Sequence, residues 1–297
     1  MKNILFIASE GVPFIKTGGL ADVVGSLPKY FNKDEFDVRV ILPKYVCIKE
    51  EYKSQMTYLD HFYINLAWRS QYVGVFMMEY QGVKFYFIDN EFYFGGPKPY
   101  SYIHEDIEKF AFFCQAALSA IPVIGFKPDI IHCHDWQTGL IPVYLKDRFN
   151  SGEYYSNIKT VITIHNLKFQ GVWDLKKTMD ITGLDKYYFT SDKLEAYGDA
   201  NYLKGGITYA DRVTTVSSTY AQEIMTPFYG EKLDGLTIRL HSARRSGRIR
   251  LHFRRILDLK LTGISSLWVL YQDLQTRKDL ISLRALWISS ALRMCSL

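Results

Sequence analysis

Asn3–Ala8 (NILFIA) is a short, nearly continuous apolar run. A strand with no polar face needs cover on both sides, so the run reads as a buried strand of a parallel sheet. Strand and helix patterns then alternate, which favours an α/β fold: a Rossmann-like, doubly wound, mostly parallel sheet. Leu20–Phe31 reads as a helix, and Asp37–Leu42 as a second strand ended by Pro43. Tyr72–Tyr80 and Val83–Ile88, joined at Gln81-Gly82, read as a β-hairpin inserted in the wound pattern. Glu105–Ile121 has helical spacing. Asp129–His134 and Thr160–Ile164 read as strands, with a helix from about Thr138 to Phe149 between them. Asn201–Tyr209 is predicted as a helix, Arg212–Val216 as a strand and Thr219–Met225 as a helix.

The first strand leads into Lys16-Thr17-Gly18-Gly19-Leu20-Ala21-Asp22-Val23-Val24. Gly18 and Gly19 let a bulky anion approach the backbone, a helix start offers free N–H groups, and Lys16 adds a point charge. That is chemistry for a diphosphate. The spacing matches neither the dinucleotide fingerprint nor the P-loop, which disfavours a dehydrogenase or a P-loop ATPase. Ligands of such sheets bind beyond the carboxyl ends of the strands. Lys16, His134/Asp135 and His165/Asn166 each follow a strand end, so they are expected to converge there.

His132-Cys133-His134-Asp135 contains four possible ligand residues of three types. Alternate side chains of a strand point to opposite faces, so the four cannot share one ion, and no metal site is expected. His132 and Cys133 are expected to be packed, with Asp135 and Trp136 entering the cleft. Tyr93, in the aromatic stretch Glu91–Phe94, is a candidate stacking face for a sugar. The alternative is ordinary core packing in a chain with 22 Tyr and 19 Phe.

The residues quoted next carry a family resemblance. SEGVPFIKTGGLADVVGSLPK (Ser9–Lys29), DIIHCHDWQTGLIPVYLK (Asp129–Lys146), TVITIHNLKFQGVW (Thr160–Trp173) and NYLKGGITYADRVTTVSSTYAQEIMTPFYGEKLDG (Asn201–Gly235) resemble bacterial glycogen synthases and plant starch synthases, in the expected order. The resemblance runs from Met1 to about Gly235. It implies the first of two Rossmann-like domains of a GT-B glycosyltransferase that transfers glucose from ADP-glucose to the non-reducing end of an α-1,4-glucan, with retention. It implies that Asp135 lies near the donor sugar hydroxyls and that His165 contacts the donor glucose at its C6 hydroxyl, with Asn166 beside it. Lys16, Gly18 and Gly19 would serve the donor diphosphate. ADP-glucose and glycogen are the partners, and no cofactor beyond the donor is implied. A non-catalytic α-glucan-binding domain and a sucrose synthase-like transferase are the alternatives.

Composition changes at Leu236. Residues 237–297 carry 12 Lys+Arg against 3 Asp+Glu, a balance of +9, while residues 1–236 carry 24 against 28, a balance of −4. Up to Leu236 there are 20 lysines and 4 arginines; beyond it there are 2 and 10. The basic character therefore belongs to the tail, and no nucleic-acid partner is expected of the body. A basic arm and a fused domain are possible readings of the tail; a shifted reading frame is favoured. Codons built from the third base of each residue and the first two of the next, across WVLYQDLQTRKDLI (Trp268–Ile281), allow GFVSRLTDQKGFD. That string resembles the motif opening the second domain of glycogen synthases, whose arginine and lysine clamp the donor diphosphate. The expected division is 1–236 as the Rossmann-like domain and 237–297 as a non-homologous, poorly folding tail, leaving this chain inactive.

The 297 residues, 48% of them hydrophobic and 15% aromatic, suffice for one large core or two small ones. No apolar run has the length of a membrane span, and no signal peptide is recognised. The four cysteines lack a C-x-x-C pair and read as reduced thiols. Together these point to a cytoplasmic protein without a membrane partner.

Overall fold

The computed structural model describes residues 1–237. The expectation for the tail beyond them lies outside the described residues. The described chain divides into two compact units, Met1–Thr214 and a second that begins at Thr215.

In chain order the elements begin with β1 (Lys2–Ile7), α1 (Gly19–Ser26) with a 3-10 turn over Leu27–Tyr30, β2 (Phe36–Pro43) and the one-turn α2 (Glu50–Lys53). β3 (Thr57–Leu66), β4 (Arg69–Tyr80), β5 (Val83–Asp89), the one-turn α3 (Glu91–Phe94) and α4 (Ile103–Ser119) follow. Next come β6 (Ile130–His134), α5 (Ile141–Asp147), β7 (Lys159–Ile164), β8 (Val172–Asp174) and α6 (Leu175–Thr182). β9 (Glu195–Ala196), β10 (Asp199–Asn201), α7 (Tyr202–Tyr209), β11 (Arg212–Thr215) and α8 (Ser218–Glu223) complete the described chain.

The main sheet has the order β11-β7-β6-β1-β2-β5-β4-β3. β1 pairs in parallel with both β2 and β6, β6 with β7, and β2 with β5. β4 runs antiparallel to β5 and β3, which is the inserted hairpin plus one strand more. β8, β10 and β9 form a small separate sheet. The fold is thus α/β and doubly wound. The chain leaves β1 toward β2 and β5, then returns to lay β6 on the other side of β1. The strand order reverses between β1 and β6, and at such a switch point the loops leave in opposite directions and open a crevice.

Burial follows the apolar pattern. Leu5, Phe6, Ile7, Val40, Ile41, Leu42, Phe85 and Phe87 are fully buried in the sheet. α4 buries residues on nearly every face, including Phe110, Phe112, Phe113, Ala116 and Ala117, as a helix enclosed by other elements must. Its first two turns hold a buried ion pair, Lys109 Nζ to Asp106 Oδ1 at 2.6 Å, completed by the Ser101 N–H and the Pro99 carbonyl. In the second unit Ser217 caps α8 by accepting the Tyr220 N–H at 2.8 Å. Among the described residues no helix is long and apolar enough to cross a membrane.

Candidate active site

The crevice is built from three neighbouring strand ends. After β1 the chain reaches Ser9 and Glu10, both buried. The loop that follows is fixed at Phe14, whose ring packs edge-on against Phe85 and Phe87 at 4.9 Å each. It is also pressed against α1: a Cβ on Gly25 would stand 2.2 Å from the Val12 carbonyl oxygen, so only glycine fits there. Glu10 accepts the Thr17 N–H with its carboxylate. Burial raises the Glu10 pKa, while the Thr17 and Gly18 N–H groups pull it back. Tyr100 donates to Glu10 at 3.4 Å and shares a 2.8 Å hydrogen bond with Ser9.

Lys16 stands at the mouth of this loop. Its ammonium is exposed and pairs with Asp22, from the first turn of α1, at 2.8 Å. Gly18 is the N-cap of α1 with an extended backbone, φ −149°. A Cβ there would meet nothing nearer than Glu10 Oε1 at 3.9 Å. Neither dihedral nor packing requires glycine at 18, in contrast to Gly25.

At the end of β6 the backbone of Asp135 takes φ +56° and ψ −171°, a conformation nearly reserved for glycine. Its N–H bonds the Thr163 carbonyl at 2.9 Å. Asp135 Oδ1 accepts the backbone N–H of His165 at 2.7 Å and of Asn166 at 3.3 Å. Asp135 therefore clasps the loop after β7. Burial drives its carboxyl up to about 7, against those two donors and reinforced by the charge of Glu10. Glu10 thus adds a small like-charge contribution to Asp135 across the neighbouring β1 and β6 ends.

Three histidines line the β6–β7 side. His132 and His134, two residues apart, share a face and stack at 4.3 Å. His132 Nε2 bonds Thr163 Oγ1 at 2.6 Å, and His134 Nδ1 bonds His165 Nε2 at 3.0 Å. Burial pushes His132 down to about 3 and His165 to about 4, and holds His134 far below the usual range. All three rings are neutral at pH 7. Cys133 lies on the opposite face and is fully buried. Among the described residues no three His, Cys, Asp or Glu side chains are grouped to hold a metal ion.

The structure thus joins Asp135, His165 and Asn166 directly, and sets Lys16, Gly18 and Gly19 at the start of α1, the first helix after β1. It places Tyr93 elsewhere: the ring takes the core-packing alternative and offers no stacking face to a sugar. That ring is buried, stacked on Phe112 at 4.5 Å, with its hydroxyl donating to Glu108 at 2.8 Å. The exposed aromatic of the same turn is Phe92. Trp136 does not enter the crevice either. It is buried against Phe110, and a Cβ on Gly171 would come within 2.2 Å of its ring. Glu10 and Tyr100 were not foreseen. Nothing in the string SEG marks a glutamate as buried until its partner seven residues on is known.

Residues 3–239 match the model of the starch synthase catalytic domain family. A glycogen synthase of Lachnospira eligens is 77% identical over 236 residues, covering 80% of this chain and 49% of that protein. A glycogen synthase of Lachnoclostridium phytofermentans is 66% identical over the same length, again covering 49% of that protein. The catalytic domain of starch synthase IV from Arabidopsis thaliana, solved bound to ADP and acarbose, superposes with a TM-score of 0.74 at 30% identity, covering 81% of this chain and 50% of that one. The chain spans about half the length of the curated relatives it matches. The strand-end clasp of Asp135 on His165, the K-T-G-G loop and a family match over 3–239 agree: the chain belongs to the starch synthase catalytic domain family.

Proposed function

We propose that residues 1–236 are the N-terminal, Rossmann-like half of a GT-B glycogen synthase, a cytoplasmic enzyme that moves glucose from ADP-glucose to the non-reducing end of an α-1,4-glucan with retention. The observation that carries this reading is Gly18. Its backbone conformation and surroundings tolerate a side chain, so its identity is best explained by a bulky ligand at the α1 start. A donor diphosphate suits that place, with Lys16 turning from Asp22 to the phosphate. Asp135 Oδ1 is engaged by the backbone, which leaves Oδ2 to accept from sugar hydroxyls. His165 presents its ring to the glucose, and neutral imidazole makes it a hydrogen-bonding group and not a general base.

Lys16→Gln tests the donor site, in a chain whose downstream frame is restored after Leu236. Losing one charge-assisted contact to phosphate weakens ADP-glucose binding about ten- to hundred-fold. Thermal stability stays nearly unchanged, because an exposed pair such as Lys16–Asp22 contributes about 0–1 kcal/mol. Equal donor affinity in both proteins removes Lys16 from the site.

A non-catalytic glucan-binding module is the second reading, favoured by exposed aromatics on the edge strand β3. Tyr58 and Tyr63 are largely exposed and flank His61, with Tyr72 stacked on His61 at 5.7 Å. Co-sedimentation with glycogen without glucose transfer by the restored chain would favour it.

A further inference from the structure

We propose that His134 is a positioning residue that fixes the tautomer of His165, so that His165 Nδ1 meets the crevice as an N–H donor. Each of the two neutral rings has one donor and one acceptor nitrogen. Their shared bond, His134 Nδ1 to His165 Nε2 at 3.0 Å, consumes one donor and one acceptor. Only two arrangements are possible. In the first, His134 Nδ1–H donates, His134 Nε2 is a bare lone pair, and His165 carries its proton on Nδ1. In the second, His165 Nε2–H donates, and His134 must carry its proton on Nε2.

The surroundings of His134 choose between them. His134 is fully buried, and its Nε2 is sealed from solvent with no hydrogen-bond partner among the described residues. The second arrangement would bury an N–H with no acceptor, and orphaned donors are rarer in protein interiors than under-used acceptors. The first leaves only an unused lone pair. His134 cannot escape by turning. It stacks on His132, lies 5.3 Å from the Phe6 ring, and its backbone N–H is held by Thr138 Oγ1 at 2.7 Å. His165 Nδ1 has no such constraint: unlike His134 Nε2 it is not among the sealed, unpartnered atoms, and His165 is only partly buried. The proton set by a wholly buried ring is thereby presented at the accessible one.

The tautomer stands on this geometry alone. Its consequence, that the donor meets a sugar oxygen, rests on the function proposed above. The test is a long-range proton–nitrogen correlation spectrum of the 297-residue chain labelled with 15N-histidine, with resonances assigned through His134→Asn and His165→Gln. The expected result is a protonated, pyrrole-type Nδ1 and a pyridine-type Nε2 in His165, independent of whether the chain binds or transfers glucose. His134→Asn, whose amide can still donate, retains that pattern, while His134→Phe shifts His165 toward the Nε2–H form. A protonated Nε2 in His165 of the unmodified chain overturns the proposal. If His134→Phe fails to fold, the spectrum of the unmodified chain still decides.

Discussion

Asp135 sits in a backbone conformation that costs on the order of 1–3 kcal/mol for a residue with a Cβ. The same residue is buried beside Glu10, and its carboxyl is driven up to about 7. Both features tax the fold and aim the carboxylate at the His165–Asn166 backbone. The pH consequence has a definite sign. Asp135 is protonated in the folded chain over a range, from about 4 to about 7, where the unfolded chain has lost its proton. Its contribution to stability is full below that range and is lost as pH rises through it. The buried histidines act oppositely: their folded pKa values are depressed, so their contribution is full above about 6.5 and is lost as pH falls. Asp135→Asn keeps an acceptor for the His165 N–H and removes the acidic term. Urea unfolding should show the variant gaining on the parent by on the order of 1–3 kcal/mol between pH 4.5 and pH 7.5. An offset independent of pH would mean that Asp135 titrates normally. The strand-end position of Asp135 was legible in the sequence, because an apolar run ends there. Its strain and its coupling to Glu10 were not, since the first is set against β7 and the loop after it and the second depends on β1 lying beside β6.

Elements were legible where they were long and had a buried face. The hairpin at Gln81-Gly82 stood out because Val83–Asp89 is almost wholly buried and the turn carries positive φ at both residues. β3 was missed because it is the sheet edge and is exposed over most of its length, which erases the alternation of a half-buried strand. β8, β9 and β10 have two or three residues each, too few for any period. The helix foreseen from Thr138 instead divides into a 3-10 turn over Trp136–Thr138 and α5, which carries Pro142 in its first turn. Between these pieces lies a glycine-to-glycine contact that no pattern announces. A Cβ on Gly206 of α7 would stand 2.9 Å from Gly139 Cα and 2.5 Å from Ile162 Cδ1. Gly206→Ala should therefore push α7 off the turn that follows Asp135 and cost about 1–3 kcal/mol. Gly198→Ala, where a Cβ meets open space, is strained only by its φ of +92° and separates the two causes. Equal unfolding midpoints for Gly206→Ala and the parent would refute close packing at this contact.

At the scale of the whole molecule, the described crevice lacks the fixed positive charge that the proposed reaction needs. Breaking the bond between glucose and a diphosphate develops negative charge on the leaving group, which needs fixed positive charge and excluded water. Glu10 and Asp135 are acidic and buried, the three histidines are neutral, and Lys16 is exposed and already paired with Asp22. On the proposed reading this half would hold the sugar and receive one end of a diphosphate, and the fixed positive charge for the departing phosphates has to come from elsewhere. We propose that a shifted reading frame across residues 268–281, whose codons allow an arginine and a lysine there, would supply charges of the required sign once restored. Glucose transfer from ADP-glucose to glycogen should then appear in a chain read in the restored frame from Leu236 through the downstream coding region. The 297-residue chain itself should fall at least about 10²–10³-fold below it, the loss typical of removing one such donor. Comparable rates from the two chains would show that the positive field comes from the residues described here, and the proposal of a shifted frame would lose its physical basis. An inactive restored chain that still binds glycogen would move the conclusion to the glucan-binding reading, with the exposed rings of β3 as the first place to mutate.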